Sequence, residues 1–244
     1  RRNLVINGAM QVAQRGTSST SSGHQTVDRF HLGVSSADES PTQEQADVAS
    51  GTTPYTLGFR NSYKITNGNQ TSGAGANDTI EYRYYMEAQD LANSGWNYTS
   101  ASSYITLSFW IKSSVAQNFY GGVRTADGTG QMYPYETGSL TADTWTKITK
   151  TIPGHANLQF DNNNGAGLYM YIWAFQGTDR TASGVSLNAW AAYSSSTKSP
   201  DCTSTWYTTN DATLEITGVQ LEVGSVATPF EHRSFGDELR RCQR

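Results

Sequence analysis

The sequence predicts an all-β protein, a jelly-roll sandwich of two antiparallel sheets with a short C-terminal helix. Three observations carry that expectation. Strand-length segments alternating apolar and polar residues recur along the chain, clearest in YITLSFWIKS (104–113), where Ile105, Leu107, Phe109 and Ile111 face one way. Residues of the types AVILMFWYC make up only 36%, yet aromatics reach 11%, a balance that suits twisted, half-buried strands with long polar loops. No helical segment of 10–15 residues separates the strands, which excludes a parallel α/β sheet.

The elements follow in order. Residues 1–16 read as a short strand with a turn at Asn7-Gly8, and 17–26 as a loop. VDRFHLGV (27–34) alternates like a strand, 35–54 reads as a loop or weak strand, and YTLGFRNSYKIT (55–66) as a strand. After a long turn at 66–78, TIEYRYYM (79–86) sets Ile80, Tyr82, Tyr84 and Met86 on one side, and 86–93 allows a helical turn or two. FYGGVRT (119–125) and QMYPYET (131–137) flank Asp127-Gly128 as a hairpin. TWTKITKTIP (144–153) follows, and the nearly continuous apolar run GLYMYIWAF (167–175) predicts a central strand covered on both faces. ATLEITGVQLEV (212–223) closes the set, with Val219, Leu221 and Val223 expected inward. Ser234 caps the predicted helix 234–244, with Asp237 and Glu238 in its first turn. Three parts are expected: an N-terminal segment 1–34 packing on or joining the sandwich, the sandwich 35–233, and a helix 234–244 leading into a further segment.

Several classes are set aside. The net charge of −4 argues against a nucleic-acid partner, and the cluster Arg233, Arg240, Arg241 and Arg244 reads as a solvated helix end. No apolar run is long enough to insert into a membrane. Cys202 and Cys242, forty positions apart, are expected as free thiols.

Three blocks carry a likeness to known families. The opening NLVINGAMQVAQRGTS with VDRF, and the closing EITGVQLEVGSVATPFEHRSFGDELRRCQR, resemble the ends of a domain of bacteriophage tail-fibre and virion-surface proteins. YITLSFWIKSS and TADTWTKITKTIPG resemble the strand pair of family 4/9-type carbohydrate-binding modules, which are jelly rolls. The resemblance implies a virion surface location, a homotrimer as in fibres, other virion proteins as partners, and contact with host-surface glycan. The closing block has its own logic. Gly224 permits a bend, Pro229 takes the chain out of the sheet, and Phe230 can plug an adjacent core.

Catalytic chemistry is not expected. The four histidines lie in separate segments, no G-x-S-x-G elbow appears, and the acids Glu81, Glu87, Asp90, Glu136 and Glu215 are those any alternating strands place on a surface. No cofactor is expected. DNNNG (161–165) offers oxygens for a structural calcium, but its spacing lacks the distal bidentate Glu and reads as an Asx-rich turn. Sugar rings stack on aromatic faces, so aromatics outside the strand cores are the candidate ligand residues. They are Trp96 and Tyr98, Trp190 and Tyr193, Trp206 and Tyr207 in loops, and Tyr133 and Tyr135 on one face of a strand read as concave. The function expected is a phage tail-fibre or receptor-binding component contacting host carbohydrate. The alternative is a structural virion protein: a capsid decoration, fibre stalk or adaptor.

Overall fold

A computed structural model describes residues 2–243; Arg244 of the basic cluster lies outside the described residues. In chain order the strands are β1 (Ser18–Ser19), β2 (Phe30–Ser35), β3 (Thr42–Asp47), β4 (Asn61–Thr66), β5 (Thr79–Glu87) and β6 (Tyr104–Ser113). They continue as β7 (Asn118–Thr125), β8 (Gln131–Ser139), β9 (Thr146–Pro153), β10 (Ala166–Gln176), β11 (Ala191–Ala192) and β12 (Thr213–Val223). The helices α1 (Thr53–Thr56), α2 (Ala88–Ala92), α3 (Thr205–Thr208) and α4 (Phe235–Cys242) are short. None of the described helices is long and apolar enough to cross a membrane.

The strands form two six-stranded antiparallel sheets, here sheet A in the order β1-β3-β4-β12-β6-β9 and sheet B in the order β11-β8-β7-β10-β5-β2. The eight strands β4 to β10 and β12 interleave between them. Sheet A takes the first, eighth, third and sixth of the eight, and sheet B the fifth, fourth, seventh and second. That order is a jelly roll, and β1, β2, β3 and β11 extend its edges.

The core between the sheets follows from alternation. Ile105, Leu107, Phe109 and Ile111 of β6 and Ile80, Tyr82, Tyr84 and Met86 of β5 are all buried. Tyr82 bolts the sheets together: its hydroxyl donates toward Tyr63 O at 3.0 Å and Leu214 O at 2.5 Å, both on sheet A. In β12 the register shifts between Thr217 and Gln220, where Gly218 adopts φ 63°. The bulge frees the Val219 N–H to bond Gly8 O at 2.9 Å.

Three local expectations are corrected. The turn at Asn7-Gly8 is present, with Met10 N donating to Asn7 O at 2.9 Å, but no strand flanks it. The N-terminal segment instead lies buried along the end of β12, Leu4 N to Leu221 O at 2.9 Å. The expected strand 55–66 shrinks to β4, because Pro54 starts a helical turn that Gly58 ends at φ 97°. Val223 is 41% exposed, since β12 there runs past the core before bending at Gly224, φ 131°. The closing block behaves as its residues suggest: the Phe230 ring packs on Phe59 at 4.9 Å, and the Ser234 hydroxyl accepts from Asp237 N.

Candidate functional site

The outward side of sheet B differs from an ordinary solvated face. Its residues fall into rows running across the strands. The first is Gly33–Glu81–Trp173–Tyr120–Glu136, from β2 through β5, β10 and β7 to β8. The second is His31–Arg83–Tyr171–Gly122–Pro134, and the third is Tyr85–Tyr169–Arg124–Met132–Ala191. Along β10 the rings of Tyr169, Tyr171 and Trp173 lie nearly parallel, with centroids 6.1 and 5.6 Å apart and planes inclined by 9° and 14°. Tyr85 meets Tyr169 edge-on at 5.0 Å.

Glycine makes room for this stack. A Cβ on Gly122 would sit 2.7 Å from Trp173 Cη2 and 2.9 Å from Met132 Sδ, so the indole lies directly on the β7 backbone. A Cβ on Gly33 would meet the Glu81 and Arg83 side chains in the same way. Trp173 and Tyr171 are nearly closed off from solvent, whereas Tyr85, Tyr169, Tyr120 and Tyr193 are half-buried and present ring surface.

Charges are woven between the rings. Trp173 Nε1 donates to Glu81 Oε2 at 2.7 Å, and Arg83 pairs with Glu81 Oε1. Burial works against the Arg83 charge, but Glu81 and Tyr85 together outweigh it and raise the guanidinium's pKa. Arg124 lies 3.7 Å over the Tyr193 ring and 5.1 Å from the Tyr169 ring. Burial, with Glu81 nearby, raises the Tyr171 phenol. Burial, then His24 and Arg83, brings the His31 imidazole down to about 4. Beyond Tyr85 a cavity of about 240 Å³ opens, lined by Arg15, His24, Asp28, Arg29, Tyr85 and Cys242.

The eight aromatics singled out from the sequence are not brought together. Trp96, Tyr133, Tyr135, Trp206 and Tyr207 are buried, which takes them off any ligand-facing surface. Tyr133 and Tyr135 pair with Val123 and Gly121, so they point between the sheets, while Met132, Pro134 and Glu136 point outward. Trp206 donates through Nε1 to Thr213 O at 3.0 Å, and Tyr207 stacks on Phe175 at 4.5 Å. Trp96 and the half-buried Tyr98 pack on Phe160, pinning their loop. Trp190, also half-buried, donates to Pro153 O at 2.7 Å and contacts Tyr133. Tyr193 reaches the outer face of sheet B, beneath Arg124.

Sequence reasoning missed the half-exposed Tyr85 and Tyr169, and the buried Tyr171 and Trp173 that stack beside them. The available signal was the contrast within β10, where rings bearing polar atoms alternate with Leu168, Met170 and Ile172. The DNNNG oxygens bind within the protein: Asn163 Oδ1 accepts from Gly165 N at 2.8 Å and Asn162 Oδ1 from Asn93 Nδ2 at 3.0 Å. Both cysteines are free, as expected, and burial pushes the Cys242 thiol up to about 12.

No protein-family model and no curated protein matches the sequence. Solved structures similar to the chain include the enzymatically active domain of tailspike protein 4 of bacteriophage CBA120, at TM-score 0.46 and 10% identity, covering 91% of this chain and 21% of that one. The baseplate tripod of bacteriophage Tuc2009 aligns at TM-score 0.41 and 12% identity, covering 94% of this chain and 58% of that one. The N-terminal cellulose-binding domain of β-1,4-glucanase C from Cellulomonas fimi aligns at TM-score 0.38 and 9% identity, covering 89% and 99%. The chain thus spans about a fifth of the tailspike chain. Phage tail proteins and carbohydrate-binding modules, the two groups that the sequence motifs resemble, are both present among these structures.

Proposed function

We propose that this chain is a carbohydrate-binding module of a phage virion surface protein, a tail fibre or receptor-binding component, and that the outer face of sheet B is its glycan-contacting surface. The observation that carries the reading is the ring surface of Tyr85, Tyr169 and Tyr193 beside Arg83 and Arg124. Sugars need flat rings for their C–H faces and nearby charged or amide groups for their hydroxyls, and this face supplies both. The terminal motifs support the virion setting, on the tail or capsid exterior, and the fibre resemblance supports a homotrimer. Binding proceeds without cleavage: the Glu81 carboxylate, fully buried, is engaged by Trp173 and Arg83 rather than free for acid–base work.

A glycan array probed with the full chain tests the reading. Saccharide retention that disappears in Tyr169→Ala is expected, and no retention of any glycan would overturn it. Light scattering reads the trimer, and incubation with a bound oligosaccharide reads turnover, of which none is expected. A structural virion protein is the second reading. It is favoured by the burial of Trp96, Trp206 and Tyr207, which spends loop aromatics on rigidity.

A further inference from the structure

The chain as a whole carries a net charge of −4, yet Arg83 and Arg124 sit beside the exposed rings of the aromatic rows. Arg83, Arg124 and Arg180 all act on Lys198, with Glu81 among them, while the other carboxylate of the rows, Glu136, lies at the β8 end and accepts from Asn118 Nδ2 at 3.0 Å. The Glu81 carboxylate is spent, its side chain 0% exposed and bound to Trp173 and Arg83, while the Arg83 side chain stays 34% exposed. Among the described residues Arg124, Arg180 and Lys198 make no ion pair. Lys198 is nonetheless buried, at 7% exposure.

A second group of cations continues the track. Tyr85 belongs both to the third row and to the cavity lined by Arg15, His24, Asp28 and Arg29. Asp28 is again an inward anion, 2% exposed and held by Gln14 N at 3.1 Å, whereas the Arg15 side chain 3.7 Å away is 58% exposed. At both ends an acid is buried and engaged while the arginine beside it, Arg83 or Arg15, reaches solvent. Arg124 and Arg180 each hold a buried Nε with no hydrogen-bond partner and, like Lys198, no ion pair, and an arriving anion relieves such partly desolvated cations.

We propose that the face takes an anionic polysaccharide, its sugar rings on Tyr193, Tyr169 and Tyr85 and its carboxylate or sulfate groups at Arg124, Arg83 and the Arg15 cavity. This rests on the saccharide reading above and narrows it to a substrate class. The stacked rings would also suit single-stranded nucleic acid, so oligo(dT) belongs in the test.

The full chain is titrated with polygalacturonate, dextran sulfate, neutral dextran and oligo(dT), alongside the glycan array. Binding of either polyanionic saccharide, weakening about tenfold between 0.05 and 0.5 M NaCl, is expected, and which of the two binds distinguishes carboxylate from sulfate. Arg124→Gln is expected to lower affinity about tenfold and Arg124→Lys less. Arg15→Gln, at an exposed site that folding does not need, is expected to lower it two- to threefold, on the order of a screened surface contact. Neutral glycans bound as tightly as acidic ones, without salt dependence, would overturn the anionic inference and leave the saccharide reading standing. Unchanged affinity in both Gln variants would do the same. Oligo(dT) bound while neither polyanionic saccharide is retained overturns it in favour of nucleic acid. Silence across the whole glycan array removes both readings.

Discussion

The two outward faces of the sandwich solve the problem of being polar in opposite ways. On sheet A a lateral row runs Glu44–Lys64–Glu215–Lys112 across β3, β4, β12 and β6, so each charge has an opposite neighbour on the next strand. Lys64 lies 3.6 Å from Glu44 and Lys112 2.9 Å from Glu215, whose other oxygen accepts from Ser62 Oγ at 2.9 Å. The row neutralises itself. On sheet B the corresponding rows hold rings in place of alternating charges, and Arg124 lies against the Tyr193 ring with no carboxylate paired to it. Cross-strand pairs stabilise both faces, charge to charge on sheet A and ring to ring on sheet B, where Tyr85 meets Tyr169.

The sharpest way to break this contrast is at the indole. Trp173→Ala removes a side chain 1% exposed and strips the buried Glu81 carboxylate of a donor, with an expected loss of about 3–5 kcal/mol. Urea unfolding reads it, and a loss under about 1 kcal/mol would mean that the ring is not packed as described. Gly122→Val places a Cβ 2.7 Å from Trp173 Cη2, costing about 1–3 kcal/mol while disturbing the stack. Near-wild-type stability there would show that the indole does not rest on the β7 backbone. Tyr169→Ala is expected to cost about tenfold in saccharide affinity, roughly 1.4 kcal/mol, with a smaller effect on folding because the ring is half-buried.

Acid offers a gentler probe. The His31 pKa is depressed from 6.5 to about 4, so its contribution to stability is fully present above pH 6.5 and is lost as pH falls toward 4, where the unfolded chain binds the proton first. Thermal unfolding of His31→Gln should be less pH-sensitive than the parent over that window. An unchanged pH profile would show that the ring is open to water. The smallest effect belongs to sheet A: Lys64→Gln removes one partner of a partly exposed pair and should cost no more than about 1 kcal/mol. A larger loss would show that the charge row acts as a network.

Most of the sandwich was legible in the residues, because strands with one buried face must alternate. β5, β6 and β12 announce themselves in this way, and the closing block reads correctly because Pro229 and Phe230 have few other roles. The segment 1–16 was harder: its apolar residues are buried by backbone bonding to β12, more than 200 positions away, which leaves no local period. β11, two residues long, has no signature at all. Five of the eight candidate rings are buried for a physical reason. Loop aromatics such as Trp206 look available in a sequence, yet they are what fastens loops to the core. Tyr169 looks buried because it sits in an apolar run, although only one side of that run faces the other sheet and its ring is half-exposed on the other.

The jelly-roll order has a kinetic side. β12, the last strand in the chain, lies between β4 and β6 at the middle of sheet A, and the N-terminal segment bonds to it as well. Until residues 213–223 are available, β1-β3-β4 and β6-β9 are two half-sheets with nothing between them. Strand edges therefore stay open from the synthesis of β4 until β12 is made, and closure waits on contacts of very long sequence separation. Folding should be slow and late, completed in one concerted step when the final strand slides home.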